Sequence, residues 1–111
     1  MSDNQSVLKI TQDTFDDSVL ASPTPVLVDF WAAWCAPCRA LAPIVDELAE
    51  SFDGRVAVGK VDVDANPELT ERYGISSIPT LILFQGGEIV ERVTGIASRR
   101  TLAEKLEAVA A

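Results

Sequence analysis

The distribution of apolar and polar positions along the chain predicts five β-strands. Two apolar runs, Val26–Trp31 and residues 79–84, are continuous rather than alternating, which is typical of strands covered on both faces. Residues 85–88 contain the pair Gly86-Gly87 and predict a hairpin turn after the second run. The three remaining apolar segments are shorter and lie at residues 7–10, 56–63 and 89–93.

The second of four predicted helices begins at a pair of cysteines and has one apolar face. The residues of this face recur at the spacing of helical turns and are Leu41, Val45, Leu48 and Phe52. Asp53-Gly54 is expected to end the helix. Pro37 suits its first turn, where the missing N–H is no loss, whereas Pro43 lies further in and is expected to kink the helix.

The first and third helices are predicted mainly from their end signals. Residues 14–20 form the first, and Thr11 or Asp13 is its candidate N-cap. The pair Asn66-Pro67 predicts the start of the third helix, with the asparagine as cap and the proline at the first helical position. Gly74 predicts its end.

The last predicted helix is capped by Ser98, and its Leu102, Leu106 and Val109 share one face. The complete order is therefore β-α-β-α-β-α-β-β-α. Alternating units followed by a hairpin predict an α/β fold, in which a central mixed five-stranded sheet is flanked by four helices on its two faces. No repeat, low-complexity segment or linker interrupts the pattern, so residues 1–111 are expected to form a single domain.

Composition and charge narrow the possible partners and the compartment. The 111 residues are 48% hydrophobic, which is enough for a core that does not depend on disulfides. Nine basic and 17 acidic residues give a net charge of −8, which argues against nucleic acid and anionic membranes as partners. No apolar run approaches the roughly 20 residues of a membrane span, and residues 1–6 show no secretory signal. These features predict a cytoplasmic protein.

Cys35 and Cys38 are the only cysteines, and they lie where a predicted strand gives way to a helix. A disulfide that closes so short a loop contributes only about 2 kcal/mol in the chain-entropy model, against about 4.7 kcal/mol for a very long loop. A closed zinc site needs about four nitrogen or sulfur ligands, whereas this chain has two cysteines and no histidine. The pair is therefore interpreted as a redox-active dithiol rather than a structural bridge or a metal site.

With these residues identified, the chain resembles the thioredoxin family over residues 7–109. The matching stretches occur in the family's order and are residues 28–35, 37–38, 60–62, 73–75 and 78–80. The resemblance implies a thioredoxin fold and reduction of protein disulfides through a reversible Cys35–Cys38 disulfide, with no bound cofactor and no metal. It also implies a monomer that reduces disulfide-containing client proteins and receives electrons from an NADPH-dependent thioredoxin reductase.

The resemblance assigns roles to the redox pair and its neighbours by position. Cys35 matches the exposed attacking cysteine and Cys38 the buried resolving one. Asp29 matches a buried carboxylate that deprotonates Cys38, with Lys60 nearby. Independently of the family, a helix N-terminus favours the thiolate of Cys35, because unpaired N–H groups and the helix dipole stabilise negative charge there.

Four further residues are expected to contact the client. Trp34 directly precedes the attacking cysteine and is expected on the surface as a platform, whereas Trp31 is assigned to packing. Pro79 matches a cis-proline that faces the disulfide, and an extended client segment is expected along Ser77-Ile78 just before it. Gly95 is interpreted either as a β-bulge or as a point of close approach to the client.

Asp29 also stands out without the resemblance, because it interrupts an apolar strand. Burial of an unpartnered carboxylate is costly and raises its pKa, which would make Asp29 a proton acceptor near neutral pH. The alternative is an aspartate on the solvent side of a half-covered strand. Lys60 is interpreted as its charge partner, or else as an ordinary solvated lysine.

The segment between the two cysteines departs from the family pattern. The family usually has Gly-Pro between the cysteines, whereas this chain has Ala36-Pro37. Alanine favours helix over glycine by roughly 0.5–1 kcal/mol in helix interiors. Ala36, Pro37 and Lys60 are therefore expected to tune the reduction potential without changing the chemistry.

Two kinds of alternative function remain open at this point. The same chemistry could serve an oxidant or isomerase, although the missing signal and the proline at position 37 argue against it. A different class would be a binding subunit whose partner needs the fold but not the thiols, or a dimer that holds an iron–sulfur cluster with one cysteine pair from each chain.

Overall fold

The computed structural model describes residues 6–110. Residues 1–5, where the sequence led us to expect no secretory signal, and residue 111 lie outside the described residues. The strands are β1 (Val7–Lys9), β2 (Val26–Trp31), β3 (Ala57–Asp62), β4 (Thr80–Gln85) and β5 (Glu88–Thr94). The helices are α1 (Ala36–Ser51), α2 (Pro67–Arg72) and α3 (Arg99–Val109), and a π-helical segment, Asp16–Leu20, precedes β2.

The five strands form one mixed sheet in the order β1-β3-β2-β4-β5. β3 pairs in parallel with both β1 and β2, whereas β4 runs antiparallel to β2 and to β5. The predicted order of strands and helices and the predicted mixed sheet are therefore confirmed. The boundaries of β1, β3, β4 and β5 differ from the predicted ones by one residue at one or both ends.

The central strands β2 and β4 are covered on both faces, as their continuous apolar runs predict. Along β2, Val28 and Phe30 face one apolar cluster, which includes the π-helical segment. Leu27 faces the other cluster, which lies under α1 and α3. The predicted apolar face of α1 is confirmed, because all four of its residues are buried. Alternation along β2 places Asp29 on the same face as Leu27, toward α1.

The first predicted helix differs from expectation. Its main turn is π-helical, because the amide of Ala21 donates a 2.9 Å hydrogen bond to the carbonyl of Asp16, five residues back. Phe15 occupies the N-cap position and makes no side-chain cap hydrogen bond, so the predicted caps Thr11 and Asp13 were wrong. The Thr11 amide instead donates to the side-chain oxygen of Thr14 at 3.0 Å, which forms a local turn before the segment.

Asn66 lies at the N-cap position of α2, as predicted, but its side chain does not cap the helix. Its Oδ1 accepts a 2.9 Å hydrogen bond from the amide of Gln12, and its Nδ2 donates to the carbonyl of Asp62 at 3.0 Å. Asn66 is buried, and both polar atoms are thereby satisfied. The side chain ties the loop after β1 to the loop after β3.

The remaining end signals largely agree with the structure. The Oγ of Ser98 accepts a 3.1 Å hydrogen bond from the amide of Thr101 and caps α3. The hairpin between β4 and β5 turns at two glycines with positive φ, as primed turns require. α1 ends at Ser51, two residues before the predicted stop, and its helical backbone continues through Pro43. None of the helices within residues 6–110 has the length and apolar character that a membrane span requires.

Candidate active site

Cys35 lies at the point where the loop after β2 enters α1. Its amide donates a 3.1 Å hydrogen bond to the carbonyl of Ala32, and its backbone is extended, so that Cys35 is the N-cap of the helix. The Sγ of Cys35 accepts a 3.2 Å hydrogen bond from the amide of Cys38. The two sulfurs form a disulfide with a Cα–Cα distance of 5.2 Å. On reduction, the amide and the helix dipole both favour a thiolate at Cys35.

Both cysteines are almost fully covered in this disulfide form. Cys35 is 4% exposed and Cys38 is 3% exposed, so the prediction that Cys35 is exposed was wrong. The cause is packing, because Trp31, Val63 and Ile78 lie against the cysteine pair. The two cysteines still differ in position, since Cys35 borders a surface cavity whose lining does not include Cys38.

A cavity of about 570 Å³ borders the disulfide. One wall is the start of α1, and the opposite wall is formed by the loop that follows α2. The lining residues are Trp34, Cys35, Ala36, Pro37, Val63, Thr70, Ile75, Ser76, Ser77 and Ile78. The structure therefore brings together the predicted client residues Trp34 and Ile78 with the redox pair. Sequence reasoning missed the wall residues Val63, Thr70, Ile75 and Ser76.

Trp34 is 67% exposed, as predicted. Its indole Nε1 donates a 2.8 Å hydrogen bond to Oδ2 of Asp64, which fixes the ring at the mouth of the cavity. Trp31 is half-buried and packs against the cysteines, which agrees with a packing role. The Nζ of Lys60 lies 5.7 Å from the centroid of the Trp31 ring, a distance at which a cation is attracted by the ring face.

Pro79 and Gly95 are joined by a backbone hydrogen bond next to the cavity. The Ile78–Pro79 peptide bond is cis, as the resemblance implied, and Pro79 is buried. The Gly95 amide donates to the Pro79 carbonyl at 2.8 Å. Gly95 has a φ of +88°, a conformation that residues with a Cβ rarely adopt. The bulge interpretation of Gly95 was wrong, because the register shift between β4 and β5 lies at Leu83/Phe84.

Asp29 is buried in β2, with 1% of its surface exposed. It lies opposite Lys60 in the register of β2 and β3, and its Oδ1 accepts no hydrogen bond from the described residues. Burial raises the pKa of Asp29 to about 7, while the charge of Lys60 lowers it and that of Asp46 raises it. The predicted burial and raised pKa are confirmed. Since Asp29 faces α1, it lies on the side of the sheet that carries Cys38.

Metal ligands are not clustered in the described part of the chain. Residues 6–110 contain no group of three or more histidine, cysteine, aspartate or glutamate residues that are placed to hold a metal ion.

Comparison with known proteins agrees with this geometry. The thioredoxin family profile matches residues 6–108. The chain is 50% identical over 99 residues to thioredoxin 1 of Nostoc sp., which covers 89% of this chain and 92% of that protein. It is 48% identical over 99 residues to thioredoxin of Synechocystis sp., with the same coverage of both chains.

The chain belongs to the thioredoxin family. The mixed five-stranded sheet with four helices is the thioredoxin fold, and the resemblance seen in the sequence is confirmed. The chain is accordingly a thiol–disulfide oxidoreductase, a protein-disulfide reductase that works through the Cys35–Cys38 pair. Re-reduction by a thioredoxin reductase is typical of this family. A chloroplastic M-type thioredoxin of Pisum sativum is 46% identical over 98 residues, which are 88% of this chain and 57% of that protein.

Proposed function

We propose that the thiolate of Cys35 is the nucleophile that attacks the disulfide of a client protein. A bond forms between Cys35 and one client sulfur, and the other client sulfur leaves as a thiolate that takes a proton from water. Cys38 then attacks the Cys35 sulfur, which forms the Cys35–Cys38 disulfide and releases the second client thiol. The client gains two electrons and the pair loses two. The observation that carries this assignment is the position of Cys35 as the helix N-cap at the border of the cavity.

Asp29 is the proposed proton acceptor for Cys38. The resolving step needs Cys38 as a thiolate, and Cys38 is buried on the side of the sheet that Asp29 faces. A carboxyl group with a pKa of about 7 is half-ionised near neutral pH, so it can accept this proton and return it afterwards. The charge of Lys60, which stands opposite in β3, favours the ionised form.

The reduction potential is proposed to depend on three further residues. Ala36 and Pro37 form the first turn of α1, and the amide of Cys38 in the same turn donates to the Cys35 sulfur, which becomes charged on reduction. Lys60 acts through Asp29 rather than by contact with the cavity, whose lining does not include it. These groups shift the balance between the dithiol and the disulfide and leave the order of steps unchanged.

The client is proposed to bind as an extended segment across the cavity. Trp34 supplies a large exposed ring on one side. Ile78, which lines the cavity, and Pro79, which is buried directly after it, are proposed as the second edge, and the amide of Gly95 supports that edge through the Pro79 carbonyl. Backbone groups of the loop before Pro79 would pair with the client, as in other cases where an extended peptide adds to an exposed edge.

The proposed electron donor is an NADPH-dependent thioredoxin reductase. The absence of a Gly-x-Gly-x-x-Gly sequence from these 111 residues supports a donor that binds the nicotinamide cofactor elsewhere. We place the protein in the cytoplasm as a single-domain monomer, residues 1–111, that takes part in electron transport to disulfide-containing clients. The net charge of −8 supports the absence of nucleic-acid and membrane partners. One relative is named chloroplastic, so fractionation of the source cells is the test of the compartment.

Reduction of insulin disulfides tests the proposed function. With dithiothreitol as electron donor, the protein is expected to accelerate precipitation of the insulin chains, and Cys35→Ser is expected to abolish the acceleration. Arg100→Gln is a suitable control, because Arg100 is exposed on α3 and its one ion pair among residues 6–110 is with Glu104, one turn away. Full activity of Cys35→Ser would contradict the assignment of Cys35 as nucleophile.

A further inference from the structure

Arg92 of strand β5 and Gly95, which directly follows β5, hold the two ends of the loop that forms one wall of the cavity. At the start of this loop, Arg92 donates from Nη1 to the carbonyl of Tyr73 at 2.7 Å and from Nη2 to the carbonyl of Gly74 at 3.0 Å. At its end, the Gly95 amide donates to the Pro79 carbonyl at 2.8 Å. The wall residues between these two anchors, residues 75–78, are here called the wall loop.

The two carbonyls that Arg92 binds belong to the end of α2, where helix geometry leaves carbonyl groups without intrahelical partners. A cation is favoured at this end of a helix, and a planar guanidinium can bind two carbonyls at once. Arg92 forms no ion pair with a carboxylate among the described residues. Its charge is therefore available to the helix end.

The anchor at the start of the loop is connected to the sheet core. The ring of Tyr73 packs against Phe15 and Phe84 with centroid distances of 5.3 Å and 5.5 Å. Phe84 is in β4, and Arg92 is in β5 opposite Ile82 of β4. The carbonyls of Tyr73 and Gly74 are thus fixed relative to β5, and Gly95 directly after this strand supports Pro79. Ser76 and Ser77 of the wall loop are exposed.

We propose that Arg92 is a positioning residue for client binding. Its two hydrogen bonds to the end of α2 fix the position of the start of the wall loop, and Gly95 fixes the position of its end. The backbone of the loop is thereby held where an extended client segment can pair with it. This role rests on the proposed function of the cavity. Arg92 lies outside the cavity lining and touches neither sulfur, so it acts only through the loop.

Steady-state reduction of insulin by Arg92→Gln, Arg92→Lys and the control Arg100→Gln tests the proposal. Arg92→Gln is expected to raise KM for insulin about five- to tenfold, because two charge-assisted hydrogen bonds to the loop are lost. The rate with a small aromatic disulfide should fall less than the rate with insulin, because only a polypeptide uses the loop backbone. Arg92→Lys should restore part of the loss, and Arg100→Gln should match the unmodified protein.

Hydrogen exchange supplies a second readout that needs no client. The Ile75 amide donates to the Thr70 carbonyl at 3.0 Å, and the Val63 amide donates to the Trp31 carbonyl at 2.9 Å. Arg92→Gln should speed exchange at Ile75, next to the clamp, and leave exchange at Val63 unchanged. Equal KM values for Arg92→Gln and Arg100→Gln, or unchanged exchange at Ile75, would overturn the role of Arg92. A protein that fails to reduce insulin at all would instead refute the proposed function, and the exchange result would still decide whether Arg92 holds the loop.

Discussion

Asp29 and Lys60 stand directly opposite each other in the parallel strands β2 and β3. The aspartate is buried, whereas the lysine is half-buried and lies near the Trp31 ring. The positive charge offsets only part of the cost of burial, because burial is the largest influence on the Asp29 pKa and the net result is a value of about 7. Two predictions follow from this raised pKa, one for the unfolding free energy and one for the rate of the resolving step.

Stability is expected to fall as the pH rises from 5 to 8. The pKa of Asp29 is about 7 in the folded protein, against 3.8 for the ordinary group. Between these values the folded state binds a proton that the unfolded state has lost, so unfolding becomes easier with rising pH. This one group should remove about 3 kcal/mol of unfolding free energy over that range. Urea denaturation of Asp29→Asn should show a correspondingly smaller pH dependence, and an equal dependence in both proteins would contradict the assigned pKa.

The same substitution should slow the resolving step. Without a carboxylate to accept the Cys38 proton, attack on the mixed disulfide is expected to be about 100-fold slower near pH 8, within the usual range for general base catalysis. The rate in the unmodified protein should rise through a pKa near 7, and Asp29→Asn should lack this rise. Stopped-flow decay of a preformed mixed disulfide measures the step. Asp53→Asn, in an exposed turn, is the control. If the rate in Asp29→Asn still rises through a pKa near 7, Asp29 is not the base.

Gly95 and Gly54 form a matched pair for testing the edge of the cavity. They have φ values of +88° and +84°, and a Cβ at either position would meet no atom within 4 Å. Alanine at each position should therefore cost about 1–2 kcal/mol of stability through backbone strain alone. Only Gly95→Ala should also raise KM for insulin, because only Gly95 supports Pro79. Equal KM values for the two variants would contradict a role for Gly95 in client binding.

The sequence predicted the features that depend on local pattern. The continuous apolar run Val26–Trp31 corresponds to β2 without any shift, and the run at residues 79–84 corresponds to β4 with a shift of one residue at each end. The apolar face of α1 and the Ser98 cap were also predicted, since each depends only on residues that are close together in the sequence. The burial of Asp29 followed from its apolar neighbours.

Features that depend on distant partners could not be predicted in this way. Asparagine is a common helix N-cap, yet the side-chain oxygen of Asn66 accepts a hydrogen bond from the amide of Gln12, 54 residues away. Cys35 is buried in part by Val63, which follows β3, and by Ile78, which precedes β4. Only the fold brings these two residues together at the cysteine pair. Arg92 looks like one more charged residue of an edge strand, and nothing local indicates that the end of α2 lies beside it.

Ala36 is expected to have a small effect on the reduction potential. It is the first residue of α1 and is exposed. If it acts only through helix preference, replacement by glycine changes the free energy by no more than about 1 kcal/mol, which corresponds to about 20 mV for a two-electron couple. Equilibration of the protein and Ala36→Gly with glutathione buffers measures the difference. A shift well above 20 mV would show that Ala36 acts through another route.

Cys35 is assigned as the attacking cysteine and Cys38 as the resolving one. Trapping of the mixed disulfide tests this assignment most directly. Reduced Cys38→Ser, mixed with a disulfide-containing client, should accumulate a covalent complex through Cys35 that intact-mass spectrometry detects, because no second sulfur remains to release it. Reduced Cys35→Ser should form little complex, because Cys38, unlike Cys35, lies outside the cavity lining. A complex that accumulates in Cys35→Ser as fast as in Cys38→Ser would contradict the account.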